Sequence, residues 1–181
     1  MSESFEFQCT LSGQKYSLRP LHEHDFNSLF SVASDQKLWE GHPSKDRYKK
    51  SNFEKWFAST LESGAALVVL ENENKTVIGT SRYYVESSSQ SDISIGYTFI
   101  SRKHWGGEAN YEIKTLMLSY AFKYFDVVWF HISPSNIRSQ KATQKIGVEF
   151  VCEKDTDLSG KLEPWFFYKI GREKWTAINE S

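Results

Sequence analysis

The spacing of apolar and polar positions changes along this chain, and each change marks an element. Phe5-Glu-Phe-Gln-Cys-Thr-Leu11 alternates, Ser12-Gly13 is a turn signal, and Tyr16-Ser-Leu-Arg-Pro-Leu21 is a second extended piece. Together they predict an N-terminal hairpin whose second strand ends or lies at an edge at Pro20. Phe26, Leu29, Phe30 and Ala33 then fall at helical spacing, with Asp25 as a cap or first-turn acid. The stretch from Gln36 to Lys50 has no period; it holds Trp39, Gly41, His42 and Pro43 and ends in the basic cluster Lys45, Arg47, Lys49 and Lys50. A second helix is predicted from Lys50 to Leu61, with Phe53, Trp56, Phe57 and Thr60 on one side and Ser63-Gly64 closing it.

Ala65-Ala-Leu-Val-Val-Leu70 is apolar without interruption, the pattern of a central strand, and after a polar turn Thr76 to Val85 returns, with Gly79 marking a bulge or a close approach. A solvated loop, Glu86 to Ser91, leads to a third strand, Ser94 to Ile100, rich in aromatic and β-branched residues. Trp105-Gly106-Gly107 supplies a bend. From Ala109 the period becomes helical, with Ala109, Ile113, Leu116, Met117, Tyr120 and Tyr124 on one face and a second apolar row at Leu118, Phe122 and Phe125. Val127 to Ile132 is the next strand, so this helix reads as the crossover of a parallel βαβ unit whose loop sits at a ligand-binding strand end. A short helix, Ser135 to Ile146, ends at Gly147. Val148 to Cys152 and Trp165 to Ile170 are closing strands around a loop from Asp155 to Pro164. The order β β α α β β β α β α β β predicts an α+β (α/β) fold, one mostly antiparallel mixed sheet flanked by helices in a single domain spanning 1–181.

Composition narrows the function. An apolar content of 39% with 25% charged residues is that of a soluble globule, and a net charge of −1 argues against nonspecific nucleic-acid binding. Aromatic residues at 15% fit either a large core or an aromatic-lined pocket. Cys9 and Cys152 have neither metal-ligand nor disulfide spacing, which fits a reducing compartment. No apolar run is long enough for a bilayer, and Met1-Ser-Glu-Ser-Phe-Glu6 is polar and acidic, so the expectation is a cytoplasmic protein with no membrane partner. His22, His24 and His42 lack metal-ligand spacing with partners, and no metal is expected. The glycine-containing loop before Ala109 directs free N–H groups and a helix dipole at one spot, an anion site suited to a phosphate or pyrophosphate; a plain turn is the other reading of the same residues.

Four features occur in order: Tyr16-Ser-Leu-Arg-Pro-Leu21 with Asp25; Ile95-Gly-Tyr-Thr-Phe-Ile100; Trp105-Gly-Gly-Glu-Ala-Asn-Tyr-Glu112; and Asn136-Ile-Arg-Ser139 followed by Lys145-Ile-Gly147. The set resembles the GNAT superfamily of acyl-CoA-dependent N-acetyltransferases, in its RimJ/RimL-like branch, from Lys15 to Ile170. The resemblance implies acetyl-CoA as co-substrate, lying where the fourth and fifth strands splay. Main-chain groups near Thr98, Phe99 and Ile100 would bond the pantetheine arm. Trp105, Gly106, Gly107, Glu108, Ala109, Asn110 and Tyr111 would wrap the pyrophosphate, and Asn136 would lie on the pantetheine side. Arg102, Lys103, Arg138 and Lys141 are close enough in sequence to screen phosphates. The family loop is Arg/Gln-x-x-Gly-x-Gly/Ala. Counted back from Glu112, Trp105, Glu108 and Asn110 take its three places; shifted by one, His104, Gly107 and Ala109 do. In the first register Asn110 is the residue able to turn with positive φ, and a Glu108 carboxylate must point to solvent to avoid repelling a pyrophosphate.

The implied reaction is acetyl transfer to a primary amine, on a protein N-terminus or a small molecule, by direct attack in a ternary complex. Many family members place a tyrosine acid where this chain has Thr143. In the RimL-like branch the corresponding role falls to a serine, here Ser139, as hydrogen-bond donor to the departing sulfur; capping the short helix is the alternative use of Ser139 and Asn136. Family bases lie near the place of Ser94, so Asp92 on the same strand face is the candidate base, with His104, His131 and water as alternatives. Trp39, His42, Trp56, Tyr83 and Tyr84 are candidates to line the acceptor side, core packing being their other use. Lys45 to Lys50 is a solvated face or a holder of outer phosphates or an acidic substrate. A monomer or homodimer is expected. A GNAT-fold module without turnover, binding an acyl-CoA or a protein partner, is the alternative function.

Overall fold

A computed structural model describes residues 4–179, so Met1–Glu3 of the acidic start lie outside the described residues. The strands are β1 (Leu11–Ser12), β2 (Tyr16–Pro20), β3 (Ala66–Glu71), β4 (Thr76–Tyr84), β5 (Asp92–Ile100), β6 (Val127–Ile132), β7 (Glu149–Asp157) and β8 (Leu162–Gly171). The helices are α1 (Phe26–Ala33), α2 (Lys50–Glu62), α3 (Ala109–Ala121), α4 (Ile137–Gln144) and α5 (Arg172–Asn179). The strands form one sheet in the order β1-β2-β3-β4-β5-β6-β8-β7. Every neighbouring pair is antiparallel except β5–β6, which is parallel and joined by α3 as its crossover.

The uninterrupted apolar run of β3 is explained by burial on both faces. Leu67 and Val69 point into a core with Ile113, Met117 and Leu118 of α3 and Trp175 of α5. Ala66 and Val68 point the other way, into a core with Leu29 and Ala33 of α1 and Phe53 and Phe57 of α2. Each such large side chain contributes roughly 1.5–3 kcal/mol over leaving it exposed. Trp39 closes the second core, 1% exposed, with its indole Nε1 donating to the Ala33 carbonyl at 2.7 Å. Pro20 is the last residue of β2 and lies beyond the reach of β1, so its missing N–H costs the ladder nothing. Gly79 is a close approach beside a register shift: a Cβ there would stand 2.0 Å from the Phe99 carbonyl oxygen.

Several boundaries differ from the pattern-based expectation. The alternating run Phe5–Leu11 pairs only at Leu11–Ser12, because Phe5 instead inserts among Tyr83, Tyr120, Tyr124 and Phe125. Asp25 does not cap α1. Its carboxylate takes two bonds from Arg19, at 2.8 and 2.7 Å, and one from the His22 N–H at 2.9 Å. The expected loop from Asp155 to Pro164 is mostly strand. β7 and β8 run on as a long hairpin around a turn at 158–161, hidden from pattern reading because most of β7 is exposed and polar. The C-terminal helix α5 is an addition to the expected order. Its short amphipathic run buries little beyond Trp175.

Candidate functional site

The parallel strands β5 and β6 stay paired only at Asp92↔Val127, Ile93↔Val128 and Ser94↔Trp129. Beyond these, β5 follows β4 and β6 follows β8, and the sheet opens between them. The cause is a bulge. Opposite Ser81 of β4 stand two residues of β5, Tyr97 and Thr98, between the pairs Arg82↔Gly96 and Thr80↔Phe99. A bulge bends its strand and breaks the ladder locally. Tyr97 adopts φ 51°, a left-handed conformation that costs a bulky residue on the order of 1–3 kcal/mol and persists only where its surroundings impose it. Here the Arg82 guanidinium lies 3.6 Å from the centre of the Tyr97 ring, Tyr84 packs edge-on at 5.1 Å, and the Tyr97 hydroxyl donates to the Leu158 carbonyl at 3.2 Å.

The opening widens into a cleft of about 1540 Å³ free of protein atoms, part of it open to solvent. One end is built by the loop into α3. Gly106 turns the chain with φ 73°, and a Cβ on Gly106 would meet nothing within 4 Å, so this backbone faces open space. Glu108 precedes the first turn of α3 without a side-chain cap on its N–H groups. The Glu108 carboxylate turns outward to Lys15 and is mostly exposed. Glu112, also pointing back, accepts from the Lys15 and Tyr16 N–H groups at 2.9 and 3.2 Å and ties α3 to β2. The first-turn amides of α3 are therefore left for a ligand, and the dipole there favours an anion. Trp105 Nε1 donates to the Ile100 carbonyl at 3.0 Å, and the Arg138 guanidinium stacks 3.6 Å from the Trp105 ring centre. Asn136 caps α4 by accepting from the Ser139 N–H at 3.2 Å.

Of the residues singled out in the sequence, Thr98, Phe99, Ile100, Trp105, Gly106, Gly107, Asn110, Tyr111, Asn136 and Ser139 all line this cleft. Glu108, Ala109 and Lys141 do not: Ala109 is buried in the core and Glu108 is in its ion pair. Asn110 lies inside α3, and the left-handed turn falls at Gly106. Arg102 is paired with Asp35 outside the cleft, whereas Arg138 lines it. Asp92 sits at the closed, paired end of β5, accepting from Trp129 Nε1 at 2.8 Å and the Ser91 hydroxyl at 3.0 Å, and is outside the cleft. Trp39, His42 and Tyr84 line the cleft with the hairpin residues Leu158, Ser159 and Trp165. Tyr83 is core, and Trp56 stands behind Arg47.

Two groups in the cleft, Lys114 and Tyr97, escaped the sequence reading, and a third, Arg47, was read only as part of the basic run Lys45 to Lys50. Lys114 is buried in the middle of α3, its Nζ donating to Thr98 Oγ1 at 2.7 Å on the bulge, and burial lowers its pKa to about 7. Its position was legible, because Lys114 shares a helical face with Met117 and Ala121. Arg47 reaches in from the unpatterned stretch before α2, and burial lowers it to about 10. Tyr97 supplies the bulge, which no residue pattern announces. Two histidines are held neutral: burial lowers His131 to about 4, and burial, with the charges of Arg47 and Arg138, lowers His42 to about 3. His42 Nδ1 accepts from the Ser44 N–H at 2.9 Å, which leaves the ring proton on Nε2. His131 Nδ1 is hydrogen-bonded to the Tyr84 hydroxyl at 2.7 Å. Among the described residues, no aspartate or glutamate lines the cleft.

A sequence model of the family described as Acetyltransferase (GNAT) domain matches residues 16–149. No functionally curated protein matches the chain in sequence. A GCN5-related N-acetyltransferase from Brucella melitensis superposes with a TM-score of 0.83 at 17% identity, covering 96% of this chain and 83% of that one. Mycobacterium smegmatis RimJ in complex with CoA-disulfide does so with 0.71 at 14% identity, covering 95% of each chain. A spermidine N-acetyltransferase from Vibrio cholerae in complex with CoA and spermine gives 0.68 at 14% identity, covering 91% and 99%. At these identities the superpositions speak for the fold, and the sequence match speaks for descent: the chain belongs to the GNAT acetyltransferase family, on its RimJ/RimL-like side.

Proposed function

We propose that this protein transfers an acetyl group from acetyl-CoA to a primary amine. The observation that carries the proposal is the continuity of one cleft, from the β5–β6 opening at the Tyr97 bulge to the uncapped start of α3. The residues present suit the co-substrate. The open strand edge at Thr98 to Ile100 offers backbone groups to a pantetheine arm. The amides around Gly107 and the first turn of α3 suit a pyrophosphate, with Arg138 and Lys145 adding charge. Relatives crystallised with CoA ligands support the same choice. Acetyl-CoA would supply the activated thioester; the rest of the work falls to this chain.

Main-chain amides freed by the bulge stand beside the opening, where they could bond negative charge developing on an acyl oxygen. The Ser139 hydroxyl has no hydrogen-bond partner among the described residues and lines the cleft, so it is free to donate to a departing thiolate. Its main-chain N–H is meanwhile fixed by Asn136, so the capping role and the donor role belong to different atoms of one residue. Asp92 is committed to Trp129 away from the cleft, and the neutral His131 imidazole, held by Tyr84, takes its place as proton acceptor.

A thiol-release assay over a broad panel of primary amines tests the reading. Acetyl-CoA-dependent release with at least one amine supports it, and tight CoA binding without release across the panel contradicts it. A His131→Asn variant with unaltered turnover from pH 6 to 9 would remove His131 from the mechanism.

A further inference from the structure

The cations of the cleft come from two different walls. Arg138 and Lys145 belong to the α4 wall, beside Trp105 and Ser139. Arg47 comes from the opposite wall, where Trp39, Tyr97 and the β7–β8 turn close the acceptor side. Its guanidinium lies over two indoles, 5.0 Å from the Trp39 ring centre and 5.3 Å from that of Trp56, and donates to the Ser44 hydroxyl at 3.0 Å. No other hydrogen bond to its five N–H donors is made among the described residues. Arg47 is within electrostatic range of Arg82 and of Tyr97. Arg82 in turn stacks on Tyr97, and its Nε is buried with no partner. Neither arginine has a carboxylate within ion-pair distance among the described residues; nearby Asp46 is taken by Lys49 at 3.1 Å.

Two guanidinium groups that repel one another and lack a counter-charge are costly to bring out of water. Arg47, which lines the cleft where Arg82 does not, is well disposed to bind an anion, because a planar fork pre-set on aromatic faces suits a carboxylate. Among the described residues the same cleft has no carboxylate with which to hold a second ammonium group, as a polyamine acceptor would require. We propose that the acceptor is a primary amine that itself carries a carboxylate, and that Arg47, backed by Arg82, binds this carboxylate beside the Tyr97 bulge. This assignment of the acceptor class rests on the acetyl-transfer reading above. The carboxylate belongs either to a free amino acid or to an acidic side chain near a peptide N-terminus; both present the same anion to the same fork.

Matched acceptors test it by thiol release. One arm compares free amino acids with their α-carboxamides, and the other compares short amidated peptides with Asp or Asn at the second position. The ratio of kcat/KM for acid over amide should be tenfold or more in one arm, and which arm shows it names the source. In Arg47→Gln the ratio should fall at least fivefold, while calorimetric CoA affinity stays within twofold of wild type. A ratio near one in both arms, or a ratio unaltered in Arg47→Gln, overturns the proposal. A tenfold loss of CoA affinity in folded Arg47→Gln also overturns it, by moving Arg47 to the co-substrate. If Arg47→Gln does not fold, Arg47→Lys keeps the charge without the fork and must cut the ratio at least threefold; an unaltered ratio overturns the assignment. Turnover of amides alone refutes the carboxylate and leaves acetyl transfer standing, whereas turnover of neither with CoA bound refutes both.

Discussion

Replacing Lys114 with methionine offers a measurement whose size follows from the structure. The lysine is 4% exposed, and burial takes its pKa from 10.5 to about 7. At about 1.4 kcal/mol per unit, that shift means the ammonium form strains the folded state by roughly 5 kcal/mol. The folded pKa lies below the unfolded one. The unfolded chain therefore binds more protons between about pH 7 and pH 10.5, and stability rises with pH across that window while staying flat below it. Lys114→Met keeps the length of the side chain and removes the proton. The partners it leaves are not orphaned, because Ser81 Oγ and Thr98 Oγ1 already bond each other at 2.7 Å. Urea denaturation of both proteins at pH 6 and pH 9 should show the stability of the Lys114→Met variant relative to wild type shrinking by roughly 3 kcal/mol over that interval, about two pH units above the folded pKa at the quoted slope. Taking a difference between pH values cancels whatever the new side chain changes in packing. A gap that stays constant from pH 6 to pH 9 would refute the reasoning and mean that water or a counter-charge keeps Lys114 protonated where it lies.

Other consequences are sharper in direction than in size. Ser139→Ala should lower turnover by about 100-fold, within the usual range for loss of a positioned acid, and unaltered single-turnover kinetics would exclude the hydroxyl from proton donation. Gly79→Ala should destabilise by about 3 kcal/mol or prevent folding, since its Cβ would stand 2.0 Å from the Phe99 carbonyl oxygen; a melting temperature within 2 °C of wild type, roughly 1 kcal/mol at this size, would contradict the close approach. Asp25→Asn should cost about 3 kcal/mol by urea denaturation, because it leaves the partly buried Arg19 without its bidentate partner. Burial pushes the Asp25 carboxyl up, but Arg19 and the His22 N–H outweigh it, so its net pKa is lowered; the stability it lends is present above pH 3.8 and is lost as pH falls through the lower folded value.

Much of this arrangement was legible in the residues because burial writes itself into periodicity. The two-faced burial of β3 shows as Ala65 to Leu70 without a polar break, and the crossover helix shows as the apolar rows from Ala109. The glycine turn before α3 was legible for a different reason, because few residues other than glycine take φ 73° at Gly106 without strain. The long β7–β8 hairpin was not legible, since an exposed, mostly polar strand such as Glu149–Asp157 lacks the alternation that one-sided burial imposes. Asp92 shows the limit of face counting: sharing a strand face with Ser94 put it on the correct side of β5 but at the paired end, several residues from the opening. Arg47 and Tyr97 owe their place to a loop and a bulge, where neither spacing nor propensity carries the position of a side chain. Lys114 was an apolar-face lysine in plain view; only the packing of Thr98 and Phe130 against it shows that the charge is buried rather than solvated.

The central claim is that the uncapped start of α3 and the opened edge of β5 together hold a coenzyme by its diphosphate and its arm. Calorimetric titration of the wild-type protein with CoA and, in parallel, with pantetheine addresses it directly. The account predicts micromolar binding of CoA and none of pantetheine at the same concentrations, because most of the grip comes from amides and arginine around the phosphates. Absence of CoA binding at millimolar concentration, or pantetheine bound as tightly as CoA, would contradict it.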